Sequence, residues 1–254
     1  MKEAKVLITG ASSGIGEGCA RRFAAEGSDL ILCARTYEKV KALGDELAAK
    51  YKVKVHSAQC DVRDRKMVES FIESIPADFK PIDVLVNNAG LARGLEKITD
   101  NLVEDWEEMI DTNIKGLLYA TRASIPLMKG SSVGGVIINI GSLAGVASYP
   151  NGAVYCATKA AVRILSDGMR QDLVDTPIRV TTIQPGMVET GFNRVRFQGD
   201  VERAAAVYKG VKPLTGDDIA DCVYYAASRP PYFQICEITV TPTQQATGGV
   251  IHRK

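Results

Sequence analysis

Thr9-Gly10-Ala11-Ser12-Ser13-Gly14-Ile15-Gly16 stands directly after the short apolar run Lys5–Thr9 and directly before an amphipathic stretch, Glu17–Ala25. Glycines here let the backbone turn sharply and approach a pyrophosphate, whose charge is stabilised by the free N–H groups and dipole at a helix N-terminus. The spacing differs from the G-x-G-x-x-G dinucleotide fingerprint, so an ordinary tight turn competes with the phosphate loop. The place of the octet, closing one strand and opening one helix, favours the loop. Gly10, Ser12, Ser13, Gly14, Ile15 and Gly16 are therefore candidate cofactor contacts, with the two serines as hydroxyl donors.

Outward from this point the same alternation repeats. Apolar, largely β-branched runs lie at Lys5–Thr9, Leu30–Cys33, Val53–Ala58, Ile82–Val86, Val136–Ile140, Arg179–Ile183 and Glu237–Val240. Between them, Glu17–Ala25, Glu38–Lys50, Arg65–Ser74, Leu102–Met128, Val154–Val174 and Asp217–Ala227 carry apolar residues at helical spacing. Seven near-continuous apolar strands alternating with helices predict an α/β fold, a doubly wound parallel sheet covered on both faces. No Pro/Ser-rich linker or internal repeat divides the chain, so one domain over 1–254 is expected. The stretch from Gly186 to about Asp200 reads as irregular, within a candidate substrate loop at about 186–210, because ligands bind where strands end in open α/β sheets.

Composition narrows the function classes. With 46% hydrophobic and 24% charged residues the chain is ordinary for a globular protein, and a formal net charge of +1 provides no footprint for nucleic acid or an anionic membrane. No apolar run approaches the roughly 18 residues of a membrane span, and no signal segment is read at the N-terminus. Six scattered cysteines without a C-x-x-C pair suit a reducing, cytoplasmic setting. His56 and His252 are the only histidines and lack ligand-spaced partners, so no metal site is expected.

Other positions carry chemistry. After the second strand, Ala34-Arg35 offers a cation where NAD sites place an acid for the ribose 2′-OH, which points to the 2′-phosphate of NADP; a solvated surface arginine is the alternative. Asp61-Val62 follows the third strand, and Asp61 reads equally as an acceptor for an adenine amino group or as a helix N-cap. Asn87-Asn88-Ala89-Gly90 follows the fourth, where side-chain amides hold a turn beneath the cofactor. Ser142 lies just past the fifth strand, and Tyr155 and Lys159 share a face of the next helix at i,i+4. An ammonium beside a tyrosine favours its phenolate, lowering a pKa that is ordinarily about 10 and enabling proton exchange with a substrate oxygen.

Thr-Gly-x-x-x-Gly-Ile-Gly, Asn-Asn-Ala-Gly, Asn113, Ser142, Tyr-x-x-x-Lys and Pro185-Gly186 together resemble the short-chain dehydrogenase/reductase family over essentially the whole chain. The resemblance implies a seven-stranded Rossmann fold, hydride transfer between a nicotinamide and a hydroxyl-bearing carbon, and a homotetramer assembled through the helices at about 102–128 and 154–174. It also implies a tetrad of Asn113, Ser142, Tyr155 and Lys159, in which the asparagine helps hold a proton-relaying water and the lysine also binds the nicotinamide ribose. Cofactor contacts are implied at Asn88, Ala89, Gly90, Pro185, Gly186, Val188 and Thr190. Within the family, Glu104-Asp105-Trp106-Glu107, Met109–Asn113, Ile138–Ser142, Val195-Arg196-Phe197-x-Gly199-Asp200 and the tail from Thr241 to Lys254 are similar to the NADP-dependent 3-hydroxy acid dehydrogenases, whose substrates include serine and L-allo-threonine.

A small 3-hydroxy acid is thus the expected substrate, its carboxylate held by Arg194 or Arg196, because an arginine fork donates two parallel hydrogen bonds. A broad reductase of ketones, steroids or quinones and a non-catalytic NADP sensor are the competing functions. Cys156, Trp106 and Arg163 read as packing residues or helix-face charge rather than as nucleophile, substrate platform or carboxylate binder.

Overall fold

The computed structural model describes residues 1–254. Its strands are β1 (Lys5–Thr9), β2 (Asp29–Ala34), β3 (Val55–Gln59), β4 (Val84–Asn87), β5 (Val136–Ile140), β6 (Arg179–Pro185) and β7 (Glu237–Val240). All neighbours pair in parallel, in the order β3-β2-β1-β4-β5-β6-β7. The order reverses between β1 and β4, the switch point at which such sheets open a crevice. The helices are α1 (Gly14–Ala25), α2 (Tyr37–Tyr51), α3 (Arg65–Ser74), α4 (Val103–Ile110), α5 (Leu117–Met128), α6 (Ala153–Asp172), α7 (Phe192–Arg196), α8 (Val201–Ala206) and α9 (Gly216–Ala227).

The central strands β1, β2, β4 and β5 are largely apolar because both faces are covered, whereas the edge strands β3 and β7 are partly exposed. Side chains alternate across a strand, so Val6 and Ile8 of β1 join a core with α1, α2 and α9, while Leu7 joins a second core with α3 and the end of α5. The same division separates Val84 and Val86 from Leu85, and Val136 and Ile138 from Ile137. Buried side-chain amides tie neighbouring strands to the helices behind them: Asn87 Nδ2 donates to Thr121 Oγ1 and Asn139 Oδ1, each at 2.8 Å, and Asn139 Nδ2 donates to Ser166 Oγ at 2.9 Å. No helix is long and apolar enough to cross a membrane.

The fold departs from two expectations and removes one of the two readings of Asp61. The stretch Leu102–Met128 is not one regular helix, because Asp111–Gly116 winds as a π-helical segment between α4 and α5. Such segments are frequent at functional sites, and this one holds Asn113. The stretch expected to be irregular contains α7, and α8 starts where it ends, with Asp200 capping α8 by accepting from Arg203 N. Asp61 is not a helix cap; that role falls to Asp64, which accepts from Lys66 N at 2.9 Å and Met67 N at 3.2 Å.

Candidate active site

The C-terminal ends of the strands open into a cavity of about 1240 Å³. At one end the glycine octet supplies a cradle. Gly10 and Gly14 sit at φ +65° and +60°, a region that side chains other than glycine rarely adopt. A Cβ on Gly10 would come within 2.9 Å of the Ala89 backbone. Asn88 ties the turn to the sheet, its Nδ2 donating to the carbonyls of Thr9 at 2.9 Å and Gly10 at 3.0 Å. Ser13, the N-cap of α1, makes no side-chain cap bond, which leaves the first N–H groups of the helix for an anion. Arg35, half-exposed, and Lys39 line the far end. The residues present therefore fit a dinucleotide: a side-chain-free cradle, a helix start without a side-chain acceptor, and cations for an additional phosphate. Asp61 also lines this end, its carboxylate held by Arg63 Nη2 at 2.6 Å, and its pKa lies below the usual range even though burial opposes this.

The middle of the cavity holds Ser142, Tyr155 and Lys159. Ser142 begins a turn after β5, and its Oγ accepts from Ala144 N at 3.1 Å, which leaves its own proton free to donate. Lys159 Nζ donates to the Ile140 carbonyl at 2.9 Å, and burial pushes its pKa down to about 8. Burial raises the Tyr155 pKa well above the ordinary phenol, and the adjacent Ser142 hydroxyl only partly offsets this. The expected lowering of Tyr155 by the ammonium is thus not seen, because Lys159 points at a backbone carbonyl and desolvation dominates.

At the other end, α7 brings in Arg196, which is 9% exposed. Its Nε donates to the Gly94 carbonyl at 2.8 Å and its Nη2 to the Tyr149 hydroxyl at 3.0 Å. The guanidinium carbon lies 5.7 Å from the centre of the Tyr155 ring. Phe192 packs on the same ring, with centroids 5.7 Å apart. Arg194, two residues earlier, is exposed. The two arginines are therefore unequal: one is fixed by packing and hydrogen bonds, the other solvated.

Of the positions singled out in the sequence, Gly10, Ser12, Ser13, Gly14, Ile15, Arg35, Asp61 and Val62 line the cavity, as do Asn88, Ala89, Gly90, Pro185, Gly186, Val188, Thr190 and Arg194. Gly16 and Asn113 do not. Gly16 lies behind the cradle, where a Cβ would come within 2.4 Å of Asn88 Nδ2 and the Gly10 carbonyl. Asn113 sits behind Gly90, accepting from Leu91 N at 2.9 Å and donating to Leu91 O at 2.8 Å and Thr158 Oγ1 at 3.0 Å. A Cβ on Gly90 would lie 3.2 Å from Asn113 Oδ1 and 3.3 Å from Lys159 Nζ, so the asparagine fixes the turn against which the lysine packs. Sequence reasoning missed Lys39, whose spacing of four from Arg35 was a usable signal. It also missed Tyr149 and Phe192, for which there was no local signal. Arg163 pairs with Glu237 at 2.9 Å, and Trp106 and Cys156 pack in a small cluster with Tyr155.

Comparisons with known proteins agree with this fold. The model of the short chain dehydrogenase family matches residues 4–200. The chain is 48% identical to the NADP-dependent 3-hydroxy acid dehydrogenase YdfG of Salmonella typhi, over 98% of this chain and 99% of that protein. It is 44% identical to Sulfoacetaldehyde reductase 2 of Chromohalobacter salexigens, over 95% of each. Its structure is similar to the closed form of serine dehydrogenase complexed with NADP+, with a TM-score of 0.91 and 44% identity over 98% of this chain and 99% of that one. The chain belongs to the short-chain dehydrogenase family. It is an NADP-dependent oxidoreductase that acts on CH–OH groups.

Proposed function

We propose that the protein interconverts a small 3-hydroxy acid and its 3-oxo acid, with Asn113, Ser142, Tyr155 and Lys159 as the working set and Arg196 as the carboxylate anchor. One observation carries the substrate class: Arg196 is buried beside Tyr155 and makes no ion pair, and its Nε and one Nη2 bond leave the Nη1 edge of the fork uncommitted. Arg196 lines the cavity, so the open edge of its guanidinium can receive a substrate carboxylate. The relatives support this reading, since hydroxy acids and sulfoacetaldehyde both carry an anionic head.

Bound NADP(H) supplies or accepts the hydride. In reduction, the Tyr155 hydroxyl gives its proton to the substrate carbonyl oxygen; in oxidation, Tyr155 takes it back. Ser142 donates its free proton to the same oxygen and fixes its position. Lys159 has two N–H bonds left after Ile140, suited to the coenzyme ribose and to restoring the tyrosine proton. Both amide hydrogens of Asn113 are committed to Leu91 and Thr158, so its part is to hold the turn beside Lys159 rather than to offer its side-chain N–H groups to a water. The contacts with NADP are assigned to the glycine cradle, to Arg35 at the 2′-phosphate, to Asp61-Val62 at the adenine and to the 185–190 segment at the nicotinamide end.

A homotetramer formed through α4, α5 and α6 is part of the proposal, supported by the exposed Val103, Ile110, Leu118 and Ile164, and a cytoplasmic setting suits the six free thiols. The test of function is a panel of L-serine, L-allo-threonine, 3-hydroxypropionate, secondary alcohols and ketones, scored by NADP reduction or NADPH oxidation. Turnover confined to apolar ketones would replace the hydroxy-acid reading with a general carbonyl reductase.

A further inference from the structure

Glu108, on α4, gathers arginines from three different loops at the rim of the cavity. Its Oε2 accepts from Arg93 Nε at 2.5 Å, and its Oε1 accepts from Arg63 Nη1 at 3.1 Å and lies 3.6 Å from Arg35 Nη1. The three are not equivalent. Arg63 has a second acid in Asp61, whereas Glu108 is the single ion-pair partner of Arg35. The Glu108 and Arg93 side chains are only 19% and 16% exposed, so their pairing is weakly screened, while Arg35, at 50%, is the partner free to leave.

Arg93 leads on to the substrate end. Its Nη1 donates to the Val195 carbonyl in α7. The next residue is locked to the same helix, with Gly94 N donating to the Arg196 carbonyl at 3.0 Å and Arg196 Nε donating to Gly94 O at 2.8 Å. A continuous line of contacts thus runs from the cation at the 2′-phosphate end, through one carboxylate, to the helix that carries the substrate arginine.

We propose that Glu108 couples recognition of the 2′-phosphate to the firmness of the substrate segment, so that NADP and NAD leave α7 in different states. A phosphate dianion competes with Glu108 for Arg35. Once Arg35 turns to the phosphate, the Glu108 carboxylate is shared by two arginines instead of three, and Arg93 holds α7 more tightly. NAD has no phosphate to draw Arg35 away. By linkage, the substrate then tightens NADP more than NAD by the same factor. Glu108 is a positioning residue here, and the inference rests on the reading of Arg35 and of the 186–210 segment given above.

Hydrogen exchange of residues 191–206 at saturating NADPH and at saturating NADH tests the coupling without turnover. Exchange should be slower with NADPH by about five-fold or more, the low end of ordinary coupling. Glu108→Gln and Arg93→Gln should both remove the difference, while the fluorescence of bound NADPH shows the coenzyme still in place. Equal exchange with both coenzymes in the wild type, or a difference that survives both substitutions, overturns the proposal. A second arm measures 3-hydroxypropionate binding to the two reduced complexes, where coenzyme and alcohol cannot react. Tighter binding to the NADPH complex in the wild type, lost in both variants, supports the coupling. If the acid binds neither complex while the exchange difference holds, the hydroxy-acid reading fails and the coupling stands.

Discussion

The Lys159 ammonium donates to the Ile140 carbonyl at 2.9 Å in a pocket where burial alone pushes its pKa down to about 8. An unfolded lysine titrates at 10.5. Between these values the unfolded chain holds a proton that the folded chain has released, so stability rises with pH across that window. Below pH 8 the penalty for burying the charge is present in full. In urea unfolding of the coenzyme-free protein, wild type should gain about 3 kcal/mol relative to Lys159→Met between pH 7 and pH 10.5. A stability difference that stays flat with pH would show that the ammonium is not desolvated in this way.

Tyr155→Phe removes the phenolic proton and keeps the ring against which Arg196 and Phe192 pack. Turnover should fall by about 10²–10⁴-fold, the range of a general acid or base, with NADP affinity by fluorescence titration unchanged within about two-fold. A variant retaining more than about a tenth of wild-type activity would remove Tyr155 from the proton-transfer step.

Arg35→Ala should raise the Michaelis constant for NADP by roughly ten-fold or more and leave that for NAD nearly unchanged, since a charge-assisted contact is worth about 1.5–3 kcal/mol. Equal losses for the two coenzymes would mean that Arg35 supports the cavity generally. Lys39 lines the same end, so Lys39→Ala should show a smaller loss of the same selectivity.

Gly10→Ala places a Cβ at φ +65° within 2.9 Å of the Ala89 backbone, which cannot swing aside as a flexible side chain would. A loss of about 1–3 kcal/mol in urea unfolding is expected, together with weakened NADP binding. Gly168, inside α6, meets nothing within 4 Å. Gly168→Ala should therefore stabilise by about 0.4–1 kcal/mol. Equal effects at the two sites would contradict the cradle geometry.

The strands and the glycine cradle were legible in the sequence because their causes are local. A strand covered on both faces is apolar at most positions, and a left-handed turn before a helix asks for glycine. The α7 and α8 helices were not legible, since five and six residues are too few to show a helical period. The difference between Arg194 and Arg196 was also hidden, because it depends on Tyr149 and Gly94, distant in the chain. Glu108 carries no local signal in the sequence, since only the folded chain brings Arg35, Arg63 and Arg93 to it. The upward push on the Tyr155 pKa was hidden for a related reason: spacing places Lys159 on the same helix face but says nothing of the burial around the phenol or of the Ile140 carbonyl that engages the lysine.

The measurement that bears most directly on the proposed function is the ratio of kcat/KM for 3-hydroxypropionate to that for a neutral alcohol of similar size, with NADP, in wild type and in Arg196→Met, Arg196→Lys and Arg194→Ala. The wild type should favour the acid. Arg196→Met should lower the ratio by about ten- to a hundred-fold, and Arg196→Lys should recover part of it, because the charge returns without the fork. The exposed Arg194 should leave it within about two-fold, as expected of a solvated side chain. A wild type that oxidises the neutral alcohol as well as the acid, or a ratio unmoved by both Arg196 substitutions, would contradict the assignment of this site to a 3-hydroxy acid.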